Sequence, residues 1–149
     1  MEFATDKCID RRLCTRIVPM KVLVLGLGRT GTNSIRQALK VLGFNETYHM
    51  TCTSGDNCLD SLMWMDALRA KYEGKGEFGK DRWDQLLGHC QAVTNFPAAC
   101  FAKELIESYP DAKVILSNRE IDSWFKFALS LSHNRPLALT RLKLGSRYH

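Results

Sequence analysis

One stretch, Lys21–Leu42, constrains the fold more than any other part of the chain: it reads KVLVLGLGRTGTNSIRQALKVL. Val22, Leu23, Val24 and Leu25 form a continuous apolar run of the kind a strand buried on both faces requires. Gly26 and Gly28 break that run, and Gly31 allows a further tight backbone path. From Thr32 the period changes. Ile35, Ala38, Leu39 and Leu42 fall at i, i+3, i+4 and i+7, the apolar stripe of one helix face, and Gly43 is a natural stop. The predicted unit is strand, glycine-rich turn, helix. Its turn and helix N-terminus gather free backbone N–H groups at one point, which attracts phosphate or sulfate. Arg29 adds a charge there, and Thr30, Thr32 and Ser34 add hydroxyl donors.

A chain of 149 residues predicts one domain with a real core. The net charge of +5 suits a polyphosphate ligand but is too modest and dispersed to argue for nucleic acid. The first twenty residues lack the apolar core of a signal peptide, and no run reaches membrane-spanning length. None of the six cysteines forms a C-x-x-C pair, which argues against zinc, and reduced thiols in the cytoplasm are the simplest expectation. Arg11, Arg12 and Arg16 belong either near the anion site or to a solvated tail, and Cys100 sits in an apolar context that reads as core.

Beyond the first helix, Thr47–Met50 reads as a short strand and Thr51–Asn57 as a loop. Leu59, Leu62, Met63 and Ala67 predict a helix to about Lys71, with Trp64 and Met65 on its flanks. Asp81 is placed to cap a short helix ended by Gly88. Gln91–Thr94 predicts a buried strand, Pro97 the first turn of a helix to about Ser108, and Ala112–Ser117 another strand. Asp122 or Ser123 would cap a last helix to about Leu131. The alternation implies an α/β fold with a mainly parallel sheet, whose ligands bind beyond the carboxyl ends of the strands. Three such ends are expected to matter together: the Gly26–Thr32 loop, the Thr94–Pro97 turn and Asn118-Arg119.

Taken literally, Gly26-Leu27-Gly28-Arg29-Thr30-Gly31 matches the dinucleotide fingerprint, which needs an acidic residue ending the second strand. Glu46 lies near the right distance but precedes that strand, and no Tyr-x-x-x-Lys pair is present to relay a proton. An NAD(P)-dependent oxidoreductase therefore stands as an alternative without its confirming context. The ATP-type phosphate loop also nearly fits. However, Thr32 and Asn33 occupy the positions of its lysine and its Mg²⁺-binding hydroxyl, which disfavours ATP or GTP hydrolysis.

A third pattern fits better. Gly28–Ser34, GRTGTNS, resembles the 5′-phosphosulfate loop of the P-loop sulfotransferases, commonly written P-K-S-G-T-T-W, with Arg29 at the position of its lysine. The stretches YHM (Tyr48–Met50), FPAACFAKELIESYPDAKVIL (Phe96–Leu116) and NREIDSWF (Asn118–Phe125) resemble the fungal branch of that family, within the P-loop nucleoside triphosphate hydrolase superfamily. The resemblance runs from about Val18 to Leu129. It implies a three-layer P-loop fold over residues 21–131, after a lead-in at 1–20 and before a basic tail at 132–149. Family members continue further, so the C-terminal part is expected to be truncated.

The resemblance also implies transfer of a sulfuryl group from 3′-phosphoadenosine 5′-phosphosulfate to a small-molecule hydroxyl or amine, with no metal. Gly28, Arg29, Thr30, Gly31, Thr32, Asn33 and Ser34 would bind the phosphosulfate, Arg29 would stabilise the leaving phosphate, and Arg119 would hold the 3′-phosphate. A surface pairing of Arg119 with Asp122 or Glu120 is the alternative reading. Two positions depart from the family. Phe127 stands where it places a serine that shares the 3′-phosphate. Asn95 stands where the fungal branch usually has aspartate, and an amide cannot accept the acceptor's proton. His49 is the substitute base, or a structural histidine. A non-catalytic nucleotide-binding remnant or interaction module is the other expectation that these departures raise.

Overall fold

The structure is a computed structural model, and it describes residues 8–132. Its first compact unit ends at Asn118 and its second begins at Arg119. In the first unit the apolar run forms β1 (Val22–Val24), buried at every position. β2 (Thr47–Tyr48), β3 (Ala92–Thr94) and β4 (Lys113–Ile115) complete one sheet in the order β2-β3-β1-β4, with every pair parallel. Side chains alternate across a strand, so each register position chooses a face. Val22, Val24 and Ala92 turn towards α1 (Thr32–Val41), where Leu39, Ile35 and Phe44 cover them. Leu23 and Val93 turn the other way, into the larger core formed with α2 (Asp60–Glu73), α3 (Lys80–Leu87) and α4 (Ala102–Ser108). The result is the expected three-layer α/β arrangement.

Aromatic packing holds the larger core. Trp83 sits between Trp64 and Phe101, with ring centroids 5.6 and 5.1 Å away, and Phe78 meets it edge-on at 4.5 Å. Such pairs contribute about 0.5–1.5 kcal/mol each beyond the burial itself.

The second unit contains α5 (Ile121–Ser132). Glu120 caps it: its carboxylate accepts from the N–H groups of Asp122 and Ser123, both at 2.8 Å. The cap is therefore two residues before Asp122 and three before Ser123, because a glutamate immediately before the first turn reaches both open donors.

Four other expectations are corrected. Thr51–Asn57 is not irregular, since Cys52–Asp56 winds into a π-helical turn. On α2 the buried face is Asp60, Met63, Trp64 and Ala67, so Trp64 is core while Leu62 and Met65 are exposed. The apolar stripe misplaced that face because one of its members is a carboxylate. Asp81 lies inside the first turn of α3, whose N-cap is Gly79. The helix expected from Pro97 begins as a 3₁₀ turn, Ala98–Phe101, before α4.

Two of the three N-terminal arginines are tied into the fold, while Arg12 is exposed, 3.9 Å from Asp66. Arg16 bonds the Asp84 carboxylate, the Val18 carbonyl (2.8 Å) and the Tyr109 hydroxyl (2.8 Å), and Arg11 lies 3.4 Å from Asp60. The basic tail read over residues 132–149 lies, apart from Ser132, outside the described residues.

Candidate functional site

The glycine loop leaves the carboxyl end of β1, and the Leu25 N–H is still held by the Ile115 carbonyl at 2.9 Å. Gly26 has no room for a side chain: a Cβ there would lie 2.5 Å from the Ser117 carbonyl oxygen and closer still to its hydroxyl. Thr30 locks the turn by donating to the Leu27 carbonyl (2.7 Å), and its hydroxyl meets that of Ser117 at 2.7 Å. Arg29 (φ 69°) and Gly31 (φ 88°) take left-handed backbone to complete it. Gly31 then stands at the N-cap of α1, where it supplies no side-chain acceptor. The first-turn N–H groups of Thr32, Asn33 and Ser34 are thus left for an outside anion, while Thr32 itself is buried.

Two polar side chains close in from the neighbouring strand ends. His49 follows β2, Asn95 follows β3, and both are nine-tenths buried or more. The Asn95 amide nitrogen lies 3.0 Å from His49 Nε2. Its amide oxygen is buried without a hydrogen-bond partner among the described residues, and a Cβ on Gly28 would sit 3.2 Å from it. The glycine at position 28 therefore lets the loop backbone approach the Asn95 amide. Asn95 itself adopts φ 66°, a region asparagine tolerates better than most residues.

His49 is fastened on its other side. The Thr51 N–H points at Nδ1 from 3.3 Å and the Thr51 hydroxyl lies 3.2 Å away. Arg36, one turn into α1, donates to the Thr47 carbonyl and the Thr51 hydroxyl, both at 3.1 Å. Burial and then the Arg36 charge hold the His49 imidazole below its ordinary pKa, so the ring is neutral near pH 7. Below it, Tyr48 donates to Asp60 (3.0 Å) and accepts from Trp64 Nε1 (2.9 Å), which anchors β2 to α2.

The loop, His49 and Asn95 are thus brought together, joined by Arg36, Thr51 and Ser117, which the sequence alone did not single out. Ser117 and Thr51 lie in stretches read as a strand end and a loop, and an arginine on a helix flank gives no signal of its own. Arg119 lies on the second unit. There its Nε donates to the Ser123 hydroxyl at 3.1 Å, and its guanidinium lies 4.7 Å from the centroid of the Phe127 ring.

The dinucleotide reading loses its context. That fold sets the second strand beside the first, whereas here β1 is flanked by β3 and β4, with β2 beyond β3. Among the described residues no group of three or more His, Cys, Asp or Glu is placed to hold a metal ion, and no helix is long and apolar enough to cross a membrane.

Two comparisons agree with this geometry. The family model described as "Sulfotransferase domain" matches residues 21–141. The chain is also similar to "Ava biosynthesis cluster protein M" of Aspergillus versicolor, 47% identical over 107 residues, which cover 70% of this chain. The match spans 40% of the length of that curated relative.

Proposed function

The chain belongs to the sulfotransferase domain family, and from that premise we propose that it binds 3′-phosphoadenosine 5′-phosphosulfate and passes the sulfuryl group to a small hydroxyl or amine. The observation that carries this reading is the α1 N-terminus, left without a side-chain cap by Gly31 and facing a loop closed by Arg29 and Thr30. Such a cradle suits a phosphosulfate without a metal, since backbone N–H groups and one guanidinium supply the positive field. When bound, the nucleotide supplies the sulfuryl group. Gly28, Arg29, Thr30, Gly31, Thr32, Asn33 and Ser34 hold its anionic end, and Arg29 stabilises the charge left on the phosphate. Arg119 holds the 3′-phosphate, with Ser123 as the hydroxyl beside it in place of the one lost at Phe127. His49, neutral and buried, takes the acceptor's proton, and Asn95 orients the ring. The protein works in the cytoplasm.

One observation favours a second reading, nucleotide binding without turnover. Both ring nitrogens of His49 are already engaged, by Asn95 and by Thr51. A ring in that position accepts a proton only if the Asn95 amide moves aside.

Calorimetric titration with adenosine 3′,5′-bisphosphate, alongside NADP⁺ and ATP, tests both. Saturable binding of the bisphosphate alone is expected, weakened about 10- to 100-fold in Arg29→Ala by loss of one charged hydrogen-bonding group. Preference for NADP⁺, or an unchanged affinity in the variant, overturns the assignment. Bisphosphate binding with no release of product from a panel of phenols and amines selects the second reading.

A further inference from the structure

Two of the six cysteines meet at the surface, far from the glycine loop in sequence. The sulfurs of Cys8 and Cys58 are 3.5 Å apart and both residues are exposed. We propose that Cys8 and Cys58 are an oxidisable pair whose disulfide clasps the N-terminal segment onto the start of α2.

The backbone on each side of the pair is already pinned. Next to Cys8, the Ile9 N–H donates to Asn57 Oδ1 at 3.0 Å, and the Ile9 carbonyl accepts from Asn57 Nδ2 at 2.7 Å. Asn57, next to Cys58, is buried and also donates to Asp60 Oδ1 at 2.6 Å. Two residues beyond Ile9, Arg11 lies 3.4 Å from the same carboxylate oxygen. The two sulfurs are therefore held near each other by contacts on both neighbours. Forming the bond brings the sulfurs from 3.5 Å to the covalent distance of about 2.05 Å.

The remaining thiols lack this placement. Cys52 and Cys90 are buried, and burial raises the pKa of each, which suppresses the reactive thiolate. Cys14 and Cys100 are partly covered.

The chemistry balances with a small-molecule disulfide such as oxidised glutathione as the oxidant. The thiolate of one cysteine attacks a glutathione sulfur, forming a mixed disulfide and expelling one glutathione thiolate. The second cysteine thiolate attacks the protein sulfur of that mixed disulfide, forming the Cys8–Cys58 bond and expelling the second glutathione. The two protein thiols lose two electrons and two protons in all, and the oxidant becomes two thiols. In a reducing compartment the pair rests as thiols, and it responds when the glutathione pool is oxidised. The closed clasp holds Ile9 and Arg11 against a cavity that Tyr48 and His89 also line, one residue from His49.

The test uses the full chain, reduced and then equilibrated with oxidised glutathione, with folding monitored by circular dichroism. Free thiols are counted under denaturing conditions, non-reduced peptides are mapped, and limited trypsin cleavage after Arg11 and Arg12 is timed. The expected result is loss of two thiols, a linked pair of peptides carrying Cys8 and Cys58, and slower cleavage than in the reduced protein. Cys8→Ser and Cys58→Ser, both at exposed positions, each abolish the link and the protection. Glutathione adducts without an internal link, linkage through other cysteines or between two chains, or a link that leaves cleavage unchanged would each overturn the proposal.

Discussion

Asn95 and His49 touch side chain to side chain, 3.0 Å apart, at the carboxyl ends of two strands that are themselves hydrogen-bonded neighbours. Burial and the Arg36 charge already keep the ring neutral. A carboxylate in place of the amide reverses the balance, because a negative charge against Nε2 favours the imidazolium. Asn95→Asp is therefore expected to raise the His49 titration, followed by imidazole NMR, from below the ordinary value to above it. Asn95→Ala should leave His49 neutral and cost roughly 1–2 kcal/mol, since alanine tolerates left-handed backbone poorly. An unshifted His49 in the aspartate variant would separate the two side chains in solution.

Gly26 provides the sharpest packing test. An added methyl meets the Ser117 backbone carbonyl at 2.5 Å, and a carbonyl inside a sheet connection has no rotamer to change. Gly26→Ala should lose about 3 kcal/mol in urea unfolding, at the upper end of overpacking costs. Gly55→Ala, where nothing lies within 4 Å, is the matched control and should change stability by less than about 1 kcal/mol. Equal losses at the two positions would mean that the loop does not hold this close approach.

The legible part of the fold was the part written in side-chain period. The apolar run of β1, the glycine after it and the buried strand at Ala92–Thr94 needed no tertiary information, whereas only half of the expected α1 stripe packs on the sheet: Ile35 and Leu39 do, while Ala38 and Leu42 are exposed. The illegible part was written in partnered polar groups. Asp60 looks like a surface residue until Tyr48, Asn57 and Arg11 are seen to satisfy it. Arg16 looks like part of a tail until Asp84 and Tyr109 receive it. At the site, the glycine loop and Asn95 stand out by motif, whereas Arg36 and Thr51 join only because α1 lies against the end of β2.

The Arg16 network makes the N-terminal segment a structural element. Arg16, Tyr109 and Lys80 converge on Asp84, and although burial opposes ionisation, the hydrogen bonds from Lys80, Arg16 and Tyr109 hold its carboxyl below the ordinary value. Asp84→Ala should cost about 2–3 kcal/mol at pH 7, because it strands a partly buried guanidinium. With the folded pKa depressed, the carboxylate's contribution is complete above its unfolded pKa near 3.8 and is lost as pH falls through the lower folded value. The variant should therefore lose less stability than the parent on acidification below pH 3.8, measured by urea midpoints. A parallel decline in both proteins would remove Asp84 as the source.

His89 governs the milder acid range. Its Nδ1 is buried with no hydrogen-bond partner among the described residues, and burial followed by the Arg11 and Arg16 charges pushes its pKa from 6.5 down to about 4. The unfolded chain then takes up the proton first. Stability is complete above pH 6.5, falls as pH drops towards 4, and is flat below that as far as this group is concerned. With partial solvent access the loss should be of order 2 kcal/mol. His49 contributes with the same sign, because its pKa is also lowered. Asp60 opposes both just above pH 3.8, since burial raises its carboxyl despite the Arg11 charge and the hydrogen bonds from Tyr48 and Asn57. His89→Gln removes the titration while keeping a polar side chain, so its urea midpoint should decline less steeply than the parent's between pH 6.5 and 4. Identical slopes would mean that His89 reaches water in the native state and that Arg11 and Arg16 do not suppress its charge.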